Sequence, residues 1–540
     1  MKRILVLAIA LSSVQYALSQ DSTSNDLQQR SFKRYSPVLD LQLNQKQNPA
    51  LKFYLWDFSR TEMAASISQE KQDKALVQQL GKEHTRYGLD ISSLLAPKEN
   101  TRAWGKASYE NTQHKGINMN LTSDYERVYP YIIADTLGPA DQKGETYIFS
   151  GGYTQNKGNY LWGIEASIRN QQEYRQKDPR PRNRISDMQV ELGVGYRFNE
   201  QYTIGLSTGF AAYKQAHTIS MLSDERLRIT TPLYNMTGLA TAFSPVNSSS
   251  YSYTAKTWTL GLDIYPSGHR GWIGHLGYRF DNLNKSIGAS GGDSGDLNGV
   301  RSASALNDIL NRKEDLIEAR AGWIDKKYDQ SWLAQVKYTY RHRIGSEALI
   351  ASSLQEIVGV TTNRTTMGMA PYYRENNTQI AVEGTYEKGE QKRWHIKPAL
   401  VYIKNEADYF DPARHMNYER LRYGTQLGMS WLGRKHMVQI LLEGTFDQSL
   451  SSEIDIENTF GQLSANNTIQ YGLFNRHAPQ AELSNYRFLS TNNTQLSVSM
   501  RWEWQLLNNK ALFLQPSLQQ GWYVDQVRTN FYQVRIGLIL

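Results

Sequence analysis

The densest cationic run in the chain is Glu173-Tyr174-Arg175-Gln176-Lys177-Asp178-Pro179-Arg180-Pro181-Arg182-Asn183-Arg184. Guanidinium groups are planar forks that match carboxylate and phosphate oxygens, and proline stiffens the backbone that carries them. A loop presenting Arg175, Arg180, Arg182 and Arg184 together could hold a carboxylate, a phosphate or lipopolysaccharide. The competing reading is a solvated loop, because charge runs usually face water. Three histidines on polar stretches, His275, His342 and His395, are the other residues that could do chemistry. None has a serine or an acid at a diagnostic spacing, and H-E-x-x-H and phosphate-loop patterns are missing. With Cys 0, thiolate ligands and thiol nucleophiles are excluded as well. The expectation is a non-enzyme with no metal site and no cofactor.

A larger charged set recurs at every second position of otherwise apolar stretches. It begins with Arg102, Lys106, Glu110, Glu165, Arg169, Glu191, Arg197 and Asp263. It continues through Arg279, Glu318, Arg320, Lys337, Arg341 and Glu383 to Lys397, Arg422, Glu443, Arg501, Glu503 and Arg535. Period two is the side-chain repeat of a β-strand, so these groups share the face opposite the apolar one. In a barrel that face is the lumen. Their mixed signs predict cross-strand ion pairs that knit the inner wall, and a ring of one sign, which would filter ions, is missing. The functional reading is a solute pathway with an electrostatic preference.

The strands that position them are legible one by one. Tyr532, Val534, Ile536, Leu538 and Leu540 alternate with Gln533, Arg535, Gly537 and Ile539 at the end of the sequence. That amphipathic strand resembles the signal by which outer-membrane barrels are recognised for insertion, with Leu540 where Phe is commoner. Val190, Leu192, Val194, Tyr196 and Phe198 form the apolar face of one arm of a hairpin; Ile204, Leu206 and Phe210 follow on the other, across the turn Asn199-Glu200-Gln201. Short turns such as Pro266-Ser267-Gly268, Glu387-Lys388-Gly389 and Asn508-Asn509 alternate with long polar connections near 216–250, 284–311, 345–375, 405–417 and 449–487. Short turns belong in the periplasm and long loops outside. The expected fold is all-β: a single antiparallel transmembrane β-barrel over 84–540, with roughly 16 to 18 strands. Residues 20–83 are read as a polar lead-in or small plug element, with a weak strand near Met63 to Ser68 and a helical stretch through Lys71 to Lys82.

Met1-Lys2-Arg3, the apolar run Ile4 to Leu11 and Ala17-Leu18-Ser19 read as a secretory signal peptide over residues 1–19. No stretch reaches 18 uninterrupted apolar residues, which excludes a helical membrane protein. The mean hydropathy of -0.58 does not exclude a barrel, whose polar lumen residues cancel its lipid-facing ones. Tyr 34 and Trp 12 against Phe 15 is a balance suited to a membrane interface. The formal charge of +8, or +6 without Lys2 and Arg3, comes with no basic stripe interleaved with aromatics, so nucleic acid is not an expected partner.

Further motifs carry a family resemblance: Arg102-Ala103-Trp104-Gly105-Lys106-Ala107-Ser108-Tyr109, Ser123-Asp124-Tyr125, Tyr129-Pro130-Tyr131, Ser150-Gly151-Gly152-Tyr153 and Asp178-Pro179-Arg180-Pro181-Arg182-Asn183. The chain resembles a Bacteroidota family of outer-membrane β-barrels of unknown function. The resemblance implies an outer-membrane location and no particular reaction or substrate. A barrel of this size can hold an aqueous lumen, so the expected function is a channel or transporter for small polar or amphipathic solutes. The alternative is a non-conducting barrel serving a surface transport or secretion complex through its loops, among them Asn247 to Tyr253. Energy-coupled receptors place a plug domain before a roughly 22-stranded barrel, more than this chain can supply. Expected partners are outer-membrane lipid and lipopolysaccharide, the barrel-insertion machinery through the C-terminal strand, and a surface protein.

Overall fold

The computed structural model describes residues 24–43, 48–221, 233–245, 250–287, 307–327, 329–356, 360–456, 468–506 and 510–540. The signal peptide expected over 1–19, the turn residues Asn508-Asn509 and the start of the loop at Asn247 lie outside the described residues.

The wall opens with β1 (Arg60–Gln72), β2 (Glu83–Lys98) and β3 (Thr101–Ile117). A loop carrying helix α3 (Tyr125–Val128) and β4 (Ile133–Asp135) leads to β5 (Ala140–Lys157), β6 (Tyr160–Arg175), β7 (Arg180–Arg197) and β8 (Tyr202–Ser220). The next loop holds β9 (Leu233–Gly238) and β10 (Thr241–Pro245), followed by β11 (Ser250–Pro266), β12 (Arg270–Ile287), β13 (Asn307–Lys326) and β14 (Gln330–Glu356). The wall continues with β15 (Val360–Lys388), β16 (Lys392–Phe410), β17 (Ala413–Leu432) and β18 (His436–Asp455). Helix α4 (Thr468–Leu489) precedes β19 (Asn493–Gln505), β20 (Ala511–Trp522) and β21 (Arg528–Ile539). Each wall strand pairs antiparallel with its neighbours, and β1 pairs with β21 from Glu62↔Ile539 to Gln72↔Thr529, so the 18-stranded sheet is closed.

The alternation sets inside and outside. Leu192 is 50% exposed on the outer face while its neighbour Glu191 is 7% exposed, and the same inversion holds for Leu262 against Asp263 and Trp502 against Arg501. Apolar groups outside and ionic groups inside are stable only where the outer medium is hydrocarbon. Among the described residues no helix is long and apolar enough to cross a membrane; the strands cross it. Aromatic pairs ring the end with the short turns, at Tyr160–Tyr196, Trp272–Trp323, Tyr386–Trp394 and Trp502–Trp504. A second ring, including Phe210–Trp258, lies eight residues from the ends Tyr202 and Pro266. That is roughly 27 Å along a strand, which the usual tilt shortens toward the ~25 Å apolar band of such barrels.

The wall begins at Arg60, not near residue 84. Met63 to Ser68 lies within a full wall strand, and Lys71 to Lys82 is a connection, not a helix. β1 offers only Ala65 and Ile67 beside Met63 on its outer face, and it is held by a partner more than 450 residues away in sequence. Local patterning cannot see such a pairing. Two expected loops are also strand: 345–375 continues β14 and β15 as a long hairpin, and 405–417 is β16 and β17 joined through 411–412. In the sequence, polar residues interrupt the apolar alternation of both stretches and hide the period.

Residues 24–43 and 48–58 run inside the short-turn end of the lumen as α1 (Ser24–Arg34), α2 (Pro37–Leu43) and the 3-10 turn Leu51–Tyr54. Their polar contacts reach around the circumference. Tyr35 donates to Glu62 on β1, Trp56 to Leu95 O on β2, Gln42 to Tyr265 on β11 and Ser36 to Glu387 on β15. Gln439 on β18 donates back to Tyr35 O. Val38, Leu41, Leu51, Leu55 and Trp56 pack with Tyr265, Ile273, Ile324 and Leu333 of the wall. On β6 to β8 the wall makes room with glycines. A Cβ on Gly163 would lie 2.6 Å from Ala50 N, and one on Gly193 2.0 Å from Asn48 Oδ1. Thr154 on β5 donates to Ala50 O at 3.0 Å.

Gly193→Leu should therefore expel residues 48–51 while leaving the wall closed, at an overpacking cost of about 1–3 kcal/mol. Limited proteolysis should cut within 24–58 much faster than in the parent, while the heat-resistant folded band on a gel persists. An unchanged cleavage rate would contradict the tight docking.

Candidate functional site: a polar chamber between two lumen closures

The outer mouth is filled by its own loops. Met119, Leu121, Val128, Tyr131 and Ile132 pack with Leu233, Tyr234, Met236 and Ala481 against Ile185, Tyr213, Tyr251 and Leu283 of the wall. β4, β9 and β10 form a three-stranded sheet within this cluster. Buried polar groups tie it to the barrel. Arg175 pairs with Asp135 at 2.9 Å and donates to Asn120 O; Asn183 donates to Leu121 O. Tyr131 Oη donates to Asn311 O and Ser346 O.

Between this closure and the N-terminal segment lies a polar cavity of about 480 Å³. Lys52 lines it from the N-terminal segment, Arg127 from α3, and Glu165, Ser167, Asp187, Gln189, Glu191, Thr257, Thr259 and Arg279 from the wall. A second cavity of about 180 Å³ shares Glu191, Thr259 and Arg279 with it and adds Asn48, Ser207, His275 and Glu318. The first volume falls in the range of small-molecule sites.

Ion pairs surround the chamber. Arg169 binds Asp124 at 2.5 Å and Asp187 at 3.3 Å; Lys52 binds Glu165 at 2.5 Å. Arg127 and Arg312 share Asp281, at 2.8 and 2.6 Å. Arg279 and Arg343 share Glu314, and Arg341 and Arg343 share Glu375. Arg312 and Arg343 also donate to Tyr129 O, so this network fastens the α3 loop to β12 through β15. A second network stands at the short-turn end, where Arg60 and Arg501 each bind both Glu62 and Glu503, and Arg535 binds Glu62 and Asp90.

Of the alternating charged residues, Glu165, Arg169, Glu191, Arg279 and Glu318 stand at or beside the two cavities. Arg320 feels Asp263, Glu318 and Glu383. Arg102 and Arg197 serve the N-terminal segment, donating to Trp56 O and to Tyr54 Oη. Arg341, Arg422, Arg501, Glu503 and Arg535 are wall ion-pair members, and Glu443 accepts from Gln426. Lys106, Lys337 and Lys397 are on the same inner face with no ion pair among the described residues.

The basic run is not one loop. It is mostly strand, with only 176–179 between β6 and β7, and strand alternation separates its guanidiniums. Arg175 is buried on Asp135, Arg180 pairs with Asp178, and Arg182 and Arg184 share the outer face with Met188 and Val190. They do not converge on one anion.

His275 does have an acidic partner: Asp263 meets its Nδ1 at 2.7 Å. The pair arises because Asp263↔His275 are cross-strand neighbours on β11 and β12, which spacing alone conceals. Ser207 lines the smaller cavity beside the ring, with no hydrogen bond between the two among the described residues. His342 shares the parity of Val336 and Tyr338 and faces outward, bonded to Asn376. No group of three His, Cys, Asp or Glu residues could hold a metal ion among the described residues. The residues missed by alternation are Lys52, Asp124, Arg127, Asp281, Arg312, Glu314, Arg343 and Glu375. Asp281 follows Arg279 at the inward period, and Glu314 follows Arg312, which is a usable signal.

Arg312→Met should leave Asp281 half-compensated and release the carbonyls of the α3 loop. A cost of about 3–5 kcal/mol is expected for a broken buried pair, read as a lower Tm of the loop-dependent transition. The α4 helix offers a pH test. Burial lifts the Glu482 carboxyl to about 7, against the opposing pull of Arg414 and of a backbone hydrogen bond from Ala240. Undocked, the group ionises at its ordinary 4.5, so docking favours the protonated form. Docking should weaken as pH rises from about 4.5 and level off above about 7. Hydrogen exchange over 477–489, corrected for intrinsic rate, should speed up across that window, and Glu482→Gln should flatten it.

No functionally curated protein matches the sequence. Among solved structures, the outer membrane transporter YddB from Escherichia coli is similar at 8% identity and TM-score 0.38, over 89% of this chain and 81% of that one. BauA, the ferric preacinetobactin receptor from Acinetobacter baumannii, matches at 9% identity and TM-score 0.36, over 89% and 80%. FyuA, the ferric yersiniabactin uptake receptor from Yersinia pestis, matches at 10% and 0.37, over 89% and 80%. These likenesses are too distant to say what the chamber holds. A family model matches residues 49–540, all of the barrel and the inner part of the N-terminal segment, and the chain therefore belongs to the family of unknown function DUF6850.

Proposed function

We propose that this chain is a gated outer-membrane transporter for small polar solutes. The observation that carries the reading is the polar chamber between two anchored closures, one from residues 24–58 and one from the outer loops. A passive pore needs a continuous aqueous lumen, whereas a polar compartment flanked at both ends by anchored segments suits a solute whose passage requires one of them to yield. The apolar belt and aromatic rings suit the outer membrane, with its lipopolysaccharide leaflet around the long-loop end and the C-terminal strand as the handle for insertion. The lumen residues of the alternating set act here as wall and chamber groups, with no catalytic role.

The second reading, a non-conducting barrel that serves as a partner in a surface complex, draws on the same hydrogen bonds that spread the N-terminal segment around the wall. Planar-bilayer conductance separates the two. Wild-type protein should be electrically silent or flicker rarely, and a variant that lacks 24–58 and carries Arg312→Met to free the α3 loop of the outer closure, checked for its heat-resistant folded band, should conduct steadily. Steady wild-type conductance would make the protein a passive channel. A folded deletion variant that stays silent would favour the partner role.

A further inference from the structure

The chamber is electrically polarised along one row of the wall. Antiparallel register aligns Glu165 on β6, Glu191 on β7, Gly209 on β8, Thr259 on β11 and Arg279 on β12. The carboxylates of Glu165 and Glu191 are cross-strand neighbours at one end, where like charges raise each other's energy unless a cation intervenes. Lys52 supplies one to Glu165 from below. At the other end Arg279 and Arg127 border the cavity, and the network behind them sets five guanidiniums (Arg127, Arg279, Arg312, Arg341, Arg343) against three carboxylates (Asp281, Glu314, Glu375). The acidic and basic ends are three strand spacings apart, roughly 14 Å of wall.

What separates them is small. Gly209 and Ala211 line the cavity together with the hydroxyls of Thr257 and Thr259, and a Cβ on Gly209 would come 2.5 Å from Thr259 Oγ1. The α3 turn roofs the recess from wall to wall, with Asp124 on Arg169 at one side and Arg127 on Asp281 at the other. A dication would meet the arginine end with repulsion, and a dianion would meet the glutamate end likewise. Only a solute with opposite charges at its two ends gains at both.

We propose that the chamber binds small zwitterions, with the cationic end at Glu165 and Glu191 and the anionic end at Arg279 and Arg127. This deepens the transport reading, since it names the solute class, but the binding itself does not depend on transport. The test is calorimetric titration of the full-length protein in detergent with ε-aminocaproate, hexamethylenediamine and adipate, which share a chain length and differ in charge. ε-Aminocaproate should bind at least about tenfold tighter than either. Lys52→Ala, which loosens the floor, should keep that order. Glu191→Arg should shift the preference to adipate and Arg279→Glu to the diamine. Equal affinity for the three ligands, or no binding by either wild type or Lys52→Ala, would overturn the proposal. Zwitterion binding by a protein that never conducts would sink the transport reading and leave this one standing.

Discussion

Backbone amides in hydrocarbon have no water to bond, so every strand of a membrane sheet must be paired on both edges. The β1–β21 seam meets that requirement, and the rest of the molecule depends on it. Closing the ring brings Arg60, Glu62, Arg501, Glu503 and Arg535 together at the short-turn end, though the last three come from the far end of the sequence. Their mutual pairing compensates charges that would be costly to bury singly. It also forms the seat for Tyr35, whose ring lies under the Arg60 and Arg501 guanidiniums. The seam and the N-terminal segment are thus held by one set of contacts.

An 18-stranded wall encloses more volume than its own side chains fill. This chain occupies the space from both ends, using an N-terminal segment below and inward-folded loops above. Apolar packing supplies the bulk of each closure, while the polar groups that the lumen would otherwise solvate become the anchors. Tyr131 shows both parts at once: its ring is fully buried in the outer cluster and its hydroxyl bonds two wall carbonyls. What neither closure reaches remains polar and open, and that remainder is the chamber. Its walls are formed where short residues such as Gly209 and Ala211 stand between long charged ones.

The chamber and its lid are coupled through shared side chains. Arg127 both lines the cavity and holds the α3 loop to Asp281, and Lys52 both lines it and ties the N-terminal segment to Glu165. A solute that competed for either charge would loosen the closure it belongs to. In the gated transport proposed above, such competition would supply the bias, because a ligand shifts an equilibrium only by interacting differently with its two states.

The sequence by itself determined the barrel and the outward face of nearly every strand, because hydrocarbon outside and water or ions inside impose a period of two that survives in any single segment. Val190 to Tyr196 and Tyr532 to Leu538 announce their faces with no knowledge of their neighbours. It also set the direction of the chain, through short turns alternating with long connections. Only the tertiary structure decided where the wall begins, since β1 is weakly patterned and acquires its place from β21. Cross-strand register likewise decided that His275 meets Asp263, that Arg175 turns inward while Arg182 and Arg184 face out, and that Glu165 and Glu191 share a row with Arg279. Register and closure are non-local, so the chamber was invisible in a sequence that displayed almost all of its wall.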